Sequence, residues 1–135
     1  MVIQTLPLCG TIWLKLGSQG CLVGTRAPVA QAWHSANTAV GPPSEDGKCV
    51  VLRYYPAQEV DSSKIVSVIG AGDNFAAGLL SCLTKDPHAH QTSASMDAMV
   101  SVAQSAAISA LQSKLAVNPD LAPDVTLRGL QMHQS

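Results

Sequence analysis

The β-branched segment Lys64–Ile69, KIVSVI, runs without a break into Gly70-Ala71-Gly72-Asp73 and then into an apolar stretch, Asn74–Leu83. No other feature limits the fold so tightly. Short β-branched runs favour an extended, buried backbone, so 64–69 is expected to be a buried strand. Gly70 and Gly72 tolerate backbone angles that other residues avoid, which lets the chain turn sharply there. The following stretch, closed by Pro87, reads as a helix. A strand, a glycine turn and a helix in this order form a unit of an α/β fold.

The same order has a chemical meaning. The first N–H groups of a helix have no acceptor within it, and with the helix dipole they attract anions. Gly70, Ala71 and Gly72 are therefore candidates for an anion hole. Asp73 stands at its mouth, where a carboxylate suits deprotonation of a hydroxyl that attacks a phosphoryl group. Two other readings fit the spacing. Asp73 could simply cap a helix beside a tight turn. Alternatively, KIVSVIGAG could open a dinucleotide-binding unit, although Phe75 stands where that motif has its third glycine and no second strand ending in an acidic residue follows.

Elsewhere, Thr11–Leu16 and Cys21–Gly24 flank Gly17-Ser18-Gln19-Gly20 as a hairpin-like pair. Met1–Leu16 is apolar but lacks a basic leader, and Lys15 interrupts it before the ~18 residues a membrane span requires, so a buried strand is expected. Order weakens over 26–48. Gly41–Gly47 reads as a loop, Cys49–Tyr54 as a strand ended by Pro56. Ser95 is expected to cap a second helix with Met96, Met99, Val100, Ala103, Ala107, Ala110 and Leu111 on one face, stopped by Asn118-Pro119. The tail over 122–135 is expected to be weakly ordered.

Composition narrows the function. The 135 residues are 47% hydrophobic and only 13% charged, about half the ~25% of an average globular chain. Disorder is excluded, and so few charges suit a piece that packs against something else, so self-association is expected. A net charge of −1 without a basic cluster argues against nucleic acid and membrane partners. Cys9, Cys21, Cys49 and Cys82 lack paired spacing and read as reduced, buried thiols of a cytoplasmic protein. His34, His88, His90 and His133 read as loop residues and Trp13 and Trp33 as packing residues. No metal site is expected from the residue pattern.

The stretch Ser67-Val68-Ile69-Gly70-Ala71-Gly72-Asp73-Asn74-Phe75-Ala76-Ala77-Gly78-Leu79-Leu80 resembles the second signature of the PfkB (ribokinase-type) sugar and nucleoside kinases, DTxGAGDxFxxG. Leu14-Lys15-Leu16-Gly17-Ser18-Gln19-Gly20-Cys21-Leu22-Val23 is similar to the family's VTLGxxGxxV strand–turn–strand along the nucleotide. This implies nucleotide contacts for Lys15, Gly17 and Gly20. Ala103-Gln104-Ser105-Ala106-Ala107 resembles the family's ANAAAA helix near the adenine, which implies the same for Gln104. Leu111-Gln112-Ser113 and Ala116-Val117-Asn118-Pro119 resemble the closing stretch, with Asn118 a further nucleotide contact, and look closest to pseudouridine-kinase relatives.

The resemblance spans Ile12 to Leu121 and implies an α/β fold: the C-terminal, nucleotide-binding portion of a ribokinase-like three-layer α/β/α sandwich, truncated, with a partial kinase domain over 1–121. It implies ATP-dependent phosphorylation of a sugar or nucleoside hydroxyl such as that of pseudouridine. Asp73 would be the base, Gly70, Ala71 and Gly72 the anion hole, and ATP and Mg2+ the cofactors. Ser67 and Val68 replace the usual Asp-Thr and Ile69 a frequent Thr, positions that in relatives help hold a monovalent cation, so K+ activation is not expected. Lys15 replaces a Thr. The family's N-terminal half, with its di-glycine acceptor motif, lid and NxxE motif, has no counterpart. An acceptor is therefore expected to bind only if that half is supplied, and the chain alone is expected to be inactive. The alternative is a truncated, non-catalytic isoform or remnant that at most binds nucleotide or a partner.

Overall fold

The turn between Gly17 and Gly20 joins β1 (Thr11–Lys15) to β2 (Cys21–Pro28), antiparallel, with Thr11 opposite Thr25 and Lys15 opposite Cys21. Gly20 is obligatory here. Its φ is 106°, and a Cβ on it would come within 2.1 Å of the Tyr55 carbonyl oxygen. The computed structural model that shows this describes residues 9–33 and 35–115. Two compact units divide the chain, Met1–Ala57 and Gln58–Ser135.

In the first unit β3 (Thr38–Val40) and β4 (Lys48–Tyr55) complete a four-stranded antiparallel sheet of order β1-β2-β4-β3. Period-two alternation places Cys21, Val23 and Thr25 of β2 and Cys49 and Val51 of β4 on one face, and all five are buried. The Thr25 hydroxyl is satisfied there by the Thr11 hydroxyl at 2.9 Å. Gly41–Gly47 is a loop as expected, and Asp46 within it pairs with Arg26 at 2.8 Å.

Two expectations for this unit need correcting. Order does not weaken from Arg26, because β2 continues through Pro28 and β3 follows. Three residues, Thr38-Ala39-Val40, are too few to show a period, and they become a strand only because β4 offers them an edge. Thr11–Lys15 is a strand, but half-buried rather than buried, since it is an edge strand paired with β2 alone. Met1–Leu8 lies outside the described residues.

The second unit holds α1 (Ala71–Lys85) and α2 (Ser93–Leu111). Phe75, Leu79 and Cys82 of α1 recur at helical spacing and are buried, as are Met96, Met99, Val100, Ala103, Ala106 and Ala110 of α2. Gly78 lets the helices approach closely, since a Cβ there would stand 2.8 Å from the Ala103 Cα. At the far end of α2, the Leu111 carbonyl accepts from the Val66 and Ser67 amides at 2.8 and 3.2 Å. The C-terminus of α2 thus lies beside the chain entering α1, and the helices run antiparallel.

Three readings change here. Residues 64–69 form no strand: a short helical turn, Ser62–Lys64, leads into irregular chain that joins no ladder and turns at Ile69-Gly70. A strand requires a ladder, whereas the Ile65 amide is taken by the Ser62 carbonyl, those of Val66 and Ser67 by the single Leu111 carbonyl, and that of Ile69 by the Ser67 hydroxyl. Val68 and Ile69 are 74% and 69% exposed rather than buried. Thr92, not Ser95, caps α2, its hydroxyl accepting from the Ser95 N–H at 3.2 Å. The helix ends at Leu111, ahead of Asn118-Pro119, and those two residues and the 122–135 tail lie outside the described residues.

Cys21, Cys49 and Cys82 are buried, whereas Cys9 is exposed. Burial pushes the Cys21 thiol from its ordinary 9.0 up to about 11 and also raises Cys82, against the opposing charge of Lys85. Both thiols therefore hold their protons more tightly in the folded state. Stability should be level below about pH 8.5, where the unfolded thiols are still protonated, and fall as pH rises toward 11. Chemical denaturation between pH 7.5 and 10.5 should show this decline, and Cys21→Ala should make it shallower, leaving the part due to Cys82.

Candidate functional site

Gly70 makes the turn into α1 in the left-handed region, with φ 82° and ψ −9°, as the N-cap residue. Only glycine adopts such angles without penalty. Ala71 and Gly72 are the first helical residues, so the expected turn-to-helix junction is present, entered from irregular chain instead of a strand. The first turn of an α-helix directs its amides out of the N-terminal end, where the dipole is positive. Asp73 is the acidic residue of that first turn and is exposed. It stands at the third helical position, so it is not the N-cap.

Asn74, next along, is buried, and it binds the turn twice. Its backbone N–H donates to the Gly70 carbonyl at 2.9 Å and its Nδ2 donates to the same oxygen at 2.8 Å. Before the turn, the Ser67 hydroxyl accepts from the Ile69 N–H at 3.2 Å. Phe75 is buried in the helix core, as a bulky residue at that position requires.

A family model for the pfkB carbohydrate kinases matches residues 10–123. The chain belongs to the pfkB family. No curated protein and no solved structure gave a significant match. The family match covers both units and every site residue expected from the sequence.

Those residues fall into groups within this pfkB chain. Gly70, Ala71, Gly72 and Asp73 are contiguous at the N-terminus of α1. Gln104 is half-buried on α2, next in sequence to Ala103, the residue that faces Gly78. Lys15, Gly17 and Gly20 belong to the first unit, where Lys15 ends β1 and the two glycines bound the turn. The Tyr54 hydroxyl ties that turn to β4 by donating to the Gln19 carbonyl. Asn118 lies outside the described residues. Among the described residues no group of three or more His, Cys, Asp or Glu could hold a metal ion, and no helix is long and apolar enough to cross a membrane.

Asn74 was not among the residues expected from the sequence. A signal was available: an amide four residues after the turn glycine, on the side of the helix that carries Phe75 and Gly78, has to find a polar partner.

The turn itself can be tested. Gly70→Ala should lower stability by about 1–2 kcal/mol, the cost of a left-handed residue with a Cβ. Gly70→Asn should cost less, because asparagine tolerates that region and is a good N-cap. Urea denaturation of the two variants beside the parent chain gives the comparison.

Proposed function

We propose that the chain is the nucleotide-binding portion of an ATP-dependent phosphotransferase acting on a sugar or nucleoside hydroxyl, pseudouridine among the candidate acceptors. One observation carries this reading: in a pfkB-family chain, left-handed Gly70 opens α1 with the exposed carboxylate of Asp73 in its first turn. Asp73 takes the proton of the acceptor hydroxyl. The freed oxygen attacks the terminal phosphorus of ATP as the bond to ADP breaks. Gly70, Ala71 and Gly72 form the anion hole facing the charge that develops. Lys15, Gly17, Gly20, Gln104 and Asn118 contact the nucleotide.

Magnesium fits this scheme as the companion of ATP. It commonly takes one or two carboxylates and completes its shell with substrate phosphates and water; on this reading the carboxylate comes from the NxxE motif of the family's N-terminal half, and Asp73 stays available as the base. The complete protein on this reading is a cytoplasmic three-layer α/β/α sandwich, and the acceptor binds when the family's N-terminal half is supplied. The exposed Val66, Val68 and Ile69 favour a second reading, a non-catalytic chain that binds nucleotide and meets a partner through its apolar surface.

ATP turnover with the N-terminal half supplied, against a panel of sugars and nucleosides, separates the two. Asp73→Asn should lower turnover by roughly 10²–10⁴-fold, the usual contribution of a general base, while nucleotide affinity changes only a few fold. Turnover close to that of the parent would make Asp73 a helix-terminus charge and nothing more. Replacing a bulky organic cation with potassium should leave the rate unchanged, because Ile69 supplies no side-chain oxygen where a hard cation needs several. A clear rise in rate would refute this.

A further inference from the structure

Asn74 is only 5% exposed, yet it lies one residue beyond the exposed Asp73. Its Nδ2 donates to the Gly70 carbonyl at 2.8 Å, alongside its own backbone N–H at 2.9 Å. The backbone bond is the ordinary helical one. The side-chain bond occupies the remaining lone pair of the same oxygen.

A trans peptide is planar, and its carbonyl and N–H point in opposite directions. Holding the Gly70 oxygen against Asn74 therefore fixes the Ala71 N–H pointing away from the helix body. We propose that Asn74 is a positioning residue of the anion hole, bracing the Gly70–Ala71 peptide so that the Ala71 N–H faces the bound phosphate; this rests on the nucleotide-binding reading above.

Two features make the brace necessary. Gly70 has no side chain and a φ of 82°, so sterics do little to stop its peptide plane from rotating. Immediately before it Val68 and Ile69 are exposed, and the nearest tether to the fold lies further back, at the bonds from Val66 and Ser67 to the Leu111 carbonyl. A rotated plane would turn a carbonyl oxygen toward the phosphate and replace attraction with repulsion.

The test uses the 135-residue chain with ATP and inorganic phosphate as probes, titrated calorimetrically, together with the Ala71 amide signal in 15N NMR. Asn74→Ala should bind ATP about five- to tenfold more weakly, the scale of one lost hydrogen bond. Its Ala71 amide should also shift and exchange faster. Asn74→Ser should recover affinity to within about twofold, because a serine hydroxyl can donate to the carbonyl four residues back. Asn74→Asp keeps the shape and removes the donor, so it should fail as alanine does; it serves if the alanine variant does not fold. A role confined to stability would lower the thermal midpoint of Asn74→Ala and leave ATP affinity and the Ala71 signal unchanged, which would overturn the inference. A parent chain that binds neither ATP nor phosphate would overturn the nucleotide-binding reading instead, and the Ala71 signal would still decide whether Asn74 braces the turn.

Discussion

The close approach of Gly78 to Ala103 is the contact on which the site-bearing unit depends. With only 2.8 Å between a would-be Cβ and the opposing Cα, the helices can meet backbone to backbone at that point. That proximity buries Phe75, Leu79 and Cys82 against the methionines and alanines of α2. Small residues at the crossing leave room for large ones on either side, so the core is closed mainly by Met96, Met99 and Val100. The same pairing brings the Leu111 carbonyl to the Val66 and Ser67 amides, tethering the chain just before Gly70. Helix packing, entry strap and glycine turn are thus steps of one construction.

The turn stands between two different environments. Behind it lies the packed face of α1, with Asn74 and Phe75 buried. Ahead of it lie exposed apolar side chains and an exposed carboxylate. Adjacent residues thus face opposite ways: Asn74 is turned inward and grips the turn, while Asp73 is turned outward into solvent. A helix makes this division naturally, since successive residues are rotated by about 100°.

The first unit contributes a different kind of precision. Gly20 is held at φ 106° against the Tyr55 carbonyl, and the Tyr54 hydroxyl reaches Gln19 in the same turn. The β1–β2 connection is therefore tied to β4 by the Tyr54 hydroxyl, and the space beside Gly20 excludes any side chain.

What the sequence by itself determined was local. The hairpin at Gly17–Gly20, the strand through Cys49–Tyr54, the α1 and α2 helices and the turn at Gly70 follow from side-chain periodicity and glycine placement, both properties of contiguous residues. The family, too, was legible in the motif around Asp73. Tertiary structure decided whatever depends on neighbours. Val66, Val68 and Ile69 have strand-forming side chains, but a strand exists only beside another strand, and here the Val66 amide is taken by Leu111 and the Ile69 amide by Ser67. Thr38–Val40 carries almost no strand signal and becomes one because β4 presents an open edge. Asn74 looked like an ordinary helix residue until its burial and its bond to Gly70 were seen. A propensity is carried by one segment, whereas a hydrogen-bond ladder or a satisfied buried amide requires two groups to meet, and only the fold decides which groups do.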